Sequence, residues 1–89
     1  MDQQSRATWT EERVIGILRE LAKEHELPEY LVNGTIEGAD TVEDLGIDSI
    51  GGVALIDRLE AAAGVHLPDD FLGFDDSVGN IAKRMNSLN

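Results

Sequence analysis

The chain is expected to fold as an all-α domain, a small four-helix bundle with a long loop after helix one and a short third helix. Three observations carry this. Apolar residues recur at spacings of three and four in separate segments. Those segments open on Thr, Asp or Ser and close near Pro or Gly. No stretch alternates apolar and polar residues convincingly enough for a half-buried strand. Its 89 residues leave room for one core. Residues 1–7 are expected to be a disordered tail and residues 8–87 the folded domain.

Thr8-Trp9-Thr10-Glu11 has the form of a capping box, with Thr8 as cap and Glu11 reaching back. Val14, Ile17, Leu18 and Leu21 then make one apolar stripe, with most of the charges off it. The helix should stop between His25 and Leu27, because Pro28 lacks an N–H and restricts the residue before it. Trp9 is expected to pack at its start.

Residues 28–48 read as a long connection. Asn33-Gly34 and Gly38 mark turns. Tyr30, Leu31, Val32, Ile36 and Val42 are too irregularly spaced for a strand or long helix, so some of them should pin a loop to the core. A loop of this length in a small domain is often functional. Thr41–Asp44 is expected to add one helical turn.

The second helix should run from Ser49 to Ala63, capped by Asp48 and stopped by Gly64. Ile50, Val53, Ile56, Leu59 and Ala63 form the expected inner face, widened by Leu55. Gly51 and Gly52 each cost about 1 kcal/mol relative to alanine in a helix. Either that first turn is loose, or something approaches its backbone closely. Asp69–Phe74 reads as a short third helix, and Asp75-Asp76-Ser77 as the start of a last helix from Val78 to Met85. The expected core is Leu18, Leu21, Leu45, Ile47, Val53, Ile56, Leu59, Phe71, Val78, Ile81 and Met85.

The 18 acids outnumber 7 Lys and Arg, for a net charge of −11. That argues against nucleic acid, which demands a basic face. It fits docking onto basic protein surfaces, or simply solubility. With no cysteine there are no disulfides or thiolate metal sites. No apolar run reaches the roughly 18 residues of a membrane span, and the N-terminus lacks a signal-peptide pattern. A free-standing, cytoplasmic, monomeric protein with no membrane partner is expected. No metal site is expected either. Asp40, Asp44 and Asp48 miss the calcium-loop spacing, and His25 and His66 are solitary. No nucleophile and base pair can be proposed, so no catalytic residue and no enzyme activity is expected.

The sharpest motif is Asp44-Leu45-Gly46-Ile47-Asp48-Ser49-Ile50. It places a serine at the first turn of a helix, beside unpaired N–H groups and the positive end of the dipole. That environment suits an anion on the serine oxygen. A serine that merely caps is the ordinary alternative. The box resembles the modification site of acyl carrier proteins. The likeness extends over residues 8–87, through Leu59-Glu60, the Gly64–Asp70 segment and the Asp-Ser-Val start of the last helix.

The resemblance implies a discrete carrier that bears 4′-phosphopantetheine on Ser49 and holds acyl or aminoacyl cargo as thioesters. Asp48 and Ile50 would belong to the attachment site, Asp48 helping a phosphopantetheinyl transferase grip it. Asp44, Ile50, Val53, Asp57 and Glu60 would meet partners, which are that transferase and acyl- or aminoacyl-loading and condensing enzymes. Leu45, Ile50, Val53 and Ile56 are candidates for lining a cargo groove, although Ile56 suits the core better. The second helix departs from fatty-acid carriers, which often show several acids there. Only Asp57 and Glu60 remain, with Arg58 between them. This points to a specialised polyketide, nonribosomal-peptide or acyl-transfer pathway. Gly46-Ile47-Asp48-Ser49 leans to the acyl over the aminoacyl type. The rival reading is an acidic helical adaptor that binds a basic partner without a prosthetic group.

Overall fold

A computed structural model describes residues 8–88, so the expected tail at residues 1–7 lies outside the described residues. Three α-helices form: α1 (Glu11–Lys23), α2 (Ser49–Ala63) and α3 (Val78–Asn86), with a 3₁₀ helix at Glu29–Val32 after α1. No strand forms among the described residues, only an isolated antiparallel bridge between Thr41 and Ser77. None of these helices is long and apolar enough to cross a membrane. α1 packs against the 3₁₀ helix, α2 and α3, and is the central element of the core.

α1 starts later than the capping box suggests. Thr10, not Thr8, is the cap, accepting a hydrogen bond from the Arg13 N–H at 3.1 Å. The cause is Trp9. It is buried, its N–H donates to Asn86 Oδ1 (2.8 Å) and its carbonyl accepts from Asn86 Nδ2 (2.9 Å). That long-range tie holds Trp9 outside the helix, with the Arg13 guanidinium 3.7 Å over its ring.

α1 ends at Lys23, two residues short of the expected stop, and by its own chemistry rather than through Pro28. His25 takes a left-handed φ of 67°, its N–H donates to Ala22 and that of Glu26 to Leu21. This is the Schellman pattern, usually completed by glycine. A His25→Gly substitution should therefore stabilise the fold by about 1 kcal/mol, read from urea unfolding. The loop that follows is pinned by buried Leu27, Leu31, Ile36, Val42, Leu45 and Ile47. Arg19 on α1 donates to the carbonyls of Leu31, Val32 and Gly34, closing the 3₁₀ helix. Tyr30 is half exposed, yet its hydroxyl donates to the Leu45 carbonyl at 2.6 Å.

The ends of α2 agree with expectation, with Asp48 as cap and Gly64 at φ 71° closing the helix. Its phase does not. Gly51, Leu55, Ile56 and Leu59 are buried, whereas Ile50 is 78% and Val53 46% exposed. The inner line runs 51, 55, 59, so it begins on a glycine pressed by Leu27. Glycine carries no hydropathy signal, and the apolar pattern alone therefore points to the wrong side for the first turn. Arg58 ties α2 to α1 through Glu24 at 2.5 Å and Glu20 at 3.6 Å.

The expected short third helix at Asp69–Phe74 is absent, so three α-helices replace the four anticipated. That stretch is a strap of turns. The Gly73 N–H donates to the Asp76 carboxylate at 2.7 Å, and the Glu43 N–H donates to the Phe74 carbonyl at 2.9 Å. Both anchors draw the backbone away from helical pairing, and Phe71 is only half-buried against the core. Asp76 is itself buried and also accepts from Asn80 Nδ2 and from Arg84 Nε, the latter at 3.1 Å. Burial works to raise its pKa. Hydrogen bonds from Gly73, Asn80 and Arg84 outweigh that and hold the carboxyl below the usual aspartate value.

Candidate functional site

The site begins in the turn before α2. Thr41 and Asp44 cap each other: the Asp44 N–H donates to Thr41 Oγ1 at 3.0 Å, and the Thr41 N–H to the Asp44 carboxylate at 3.2 Å. Leu45 and Ile47 point inward and anchor the turn on the core. Gly46 between them has φ 77°, a conformation that glycine adopts without steric cost. The Ile47 N–H returns to the Val42 carbonyl at 3.2 Å. Asp48 emerges extended, and its Oδ1 accepts from the Gly51 N–H at 2.8 Å.

Ser49 is then the first residue of α2 and is exposed. The capping role falls to Asp48, which leaves the serine hydroxyl without a hydrogen-bond partner among the described residues. The other described serines are engaged: Ser77 Oγ accepts from the Asn80 N–H, and Ser87 Oγ donates to the Arg84 carbonyl. The N–H groups of Ser49 and Ile50 lie in the first turn, where no intrahelical acceptor exists. An oxygen bearing a phosphodiester fits there, being open to solvent and next to outward-facing donors.

The other sequence candidates scatter around this point. Ile50 and Val53 stand out from α2, and Asp57 is exposed. Asp44 is exposed, although its carboxylate serves the turn. Glu60 is turned back onto its own chain, accepting from the Leu67 N–H at 2.9 Å and lying 3.4 Å from His66 Nδ1.

A groove of about 330 Å³ opens beside Ser49. Val42, Val53, Leu55, Ile56, Leu72 and Phe74 give it apolar walls, Gly52 and Gly73 form part of its lining, and Asp69 is its one ionisable residue. Of the residues proposed for a groove, Val53 and Ile56 line it, while Leu45 and Ile50 do not. Phe74 also borders a second hollow of about 370 Å³, with Glu43, Gly46, Ile47 and Asp48. Sequence reasoning passed over Gly52, Leu72 and Phe74 as site residues. The groove joins α2 to the strap, and no local pattern signals such a pairing.

The two glycines resolve the question raised by their cost. A Cβ on Gly51 would stand 2.9 Å from Leu27 Cδ2 and 3.2 Å from Ile47 Cγ2, whereas one on Gly52 would meet nothing within 4 Å. Gly51→Ala should destabilise by about 1 kcal/mol, overpacking outweighing helix propensity. Gly52→Ala should stabilise by about 0.5–1 kcal/mol. Chemical unfolding of the pair checks the contrast in sign.

A family model described as a phosphopantetheine attachment site matches residues 12–85. No curated protein and no solved structure matches the chain.

Proposed function

The chain belongs to the phosphopantetheine-attachment-site family, whose domains bear 4′-phosphopantetheine covalently on a serine, and from that premise we propose that Ser49 is the bearing residue of an acyl carrier. The observation that supports this assignment is the Ser49 hydroxyl, exposed and without a hydrogen-bond partner among the described residues at the first turn of α2, while Ser77 and Ser87 are committed to nearby backbone. Carriers of this family are generally not catalysts.

The arm supplies a terminal thiol, on which cargo rides as a thioester. The chain's own residues do the positioning. Asp48 fixes the start of α2, so the serine oxygen projects from a rigid element rather than from a mobile loop. Outward N–H groups of the first turn favour the phosphodiester. Tethering then raises the effective concentration of cargo at each partner.

Partners follow from the surface. A transferase would read Asp48, Ser49 and Ile50, and Asp44, Val53, Asp57 and Glu60 extend the contact zone for loading and condensing enzymes. Ile50 and Val53 offer apolar contact while the flanking acids steer basic surfaces. Few acids along α2, and an apolar groove beside Ser49, favour acyl cargo in a specialised polyketide, nonribosomal-peptide or acyl-transfer pathway.

The protein incubated with coenzyme A, magnesium and a broad-specificity phosphopantetheinyl transferase should gain one phosphopantetheine mass, located on the peptide that contains Ser49. No gain under conditions that convert a control carrier rejects the assignment.

A further inference from the structure

We propose that Gly52 is the residue that sets how much of an unbranched acyl chain the groove beside Ser49 takes in; the proposal rests on Ser49 bearing the arm. Gly52 lies three residues after Ser49, on the same side of α2. Both residues line the groove. A Cβ on Gly52 would meet no atom of another part of the chain within 4 Å. At its neighbour Gly51, by contrast, a Cβ would press on Leu27 and Ile47.

The groove's chemistry selects its occupant. Val53, Ile56 and Leu72 face it with hydrocarbon, and Asp69 is the only ionisable group on its lining. The amides of a phosphopantetheine arm would surrender hydrogen bonds to water there with little to replace them. An alkyl tail gives up nothing and gains burial. A cargo ending in a carboxylate meets Asp69 and is disfavoured. At about 330 Å³ the groove is within the range of small-ligand sites. Each methylene it covers multiplies occupancy about four-fold, until the groove is full. A leucine at position 52 fills that volume from the protein's side.

The test loads wild type, Gly52→Ala and Gly52→Leu with straight-chain acyl groups of increasing length. A broad-specificity phosphopantetheinyl transferase with magnesium moves the whole acyl-phosphopantetheine from the matching acyl-coenzyme A to Ser49 Oγ, breaking the pyrophosphate bond and releasing adenosine 3′,5′-bisphosphate. Intact mass reports the acylated arm. Cleavage of the thioester by hydroxylamine reports its exposure, and the methyl NMR signals of Val53 and Leu72 report groove filling. In wild type the cleavage rate should fall with each added methylene and then level off, with those methyl signals shifting. In Gly52→Leu the rate should be independent of length and the signals unmoved, and Gly52→Ala should lie between. A thermal midpoint at or above wild type for Gly52→Leu excludes unfolding as the cause, since a good helix former has entered open space. Acylated arms on all three proteins with the same length dependence overturn the role of Gly52 and leave Ser49 assigned. Failure of the wild type to acquire any arm overturns the Ser49 assignment, and this proposal with it.

Discussion

Ser49→Ala is expected to abolish covalent loading altogether while changing unfolding free energy by no more than about 0.5 kcal/mol. Both halves follow from the same geometry. The hydroxyl caps nothing, because Asp48 already accepts the Gly51 N–H, and it is exposed. Removing it therefore costs no hydrogen bond among the described residues, and alanine is the better helix former. Intact mass after transferase treatment reads the first half and urea unfolding the second. An unmodified wild type, or a Ser49→Ala protein that still gains the arm, would remove Ser49 from the mechanism. The adaptor alternative makes the opposite forecast, that biological activity survives the substitution.

Asp76→Ala should cause the largest loss of stability of any single change considered, about 3 kcal/mol. The side chain is buried and accepts from Gly73, Asn80 and Arg84, so it joins the strap to α3. Truncation strands those donors and leaves a void. Asp76→Asn keeps the shape but loses the charge, and should cost less. The pH dependence has a definite sign. The folded-state pKa of Asp76 is depressed, so its contribution is complete above the ordinary aspartate value. It fades as pH drops from that value through the lower folded one. The stability gap between wild type and Asp76→Asn should therefore shrink in acid, and comparing the two proteins at each pH cancels the other carboxylates. A gap that stays constant from neutral to strongly acid conditions would contradict the clasp. Because Gly73 lines the groove, Asp76→Ala should also shift the NMR signals of Leu72 and Phe74.

What could be read from the chain alone was what local chemistry decides. Asp48 and Gly64 bound α2 because caps act within a few residues. The turn before Ser49 was legible for the same reason, with Gly46 between two apolar anchors. What could not be read was decided from far away. Thr10 displaces Thr8 as cap because Asn86, 77 positions along the chain, holds Trp9. The third helix fails because Asp76 and Glu43 claim the backbone of Gly73 and Phe74. The face of α2 was misphased because its innermost first-turn position is a glycine, whose close neighbour Leu27 comes from the preceding loop. Arg19 gave no hint of its role, since carbonyls collected by tertiary folding leave no trace in composition.

The arginines carry one more consequence. Arg13 sits on the Trp9 ring, Arg19 on three carbonyls, Arg58 on Glu20 and Glu24, and Arg84 on Asp76. Most of the described positive charge is thus engaged in holding the fold, while the acids outnumber it across the surface. Two copies of such a body push each other apart once their surfaces come within the roughly 8 Å over which charge is felt at physiological salt.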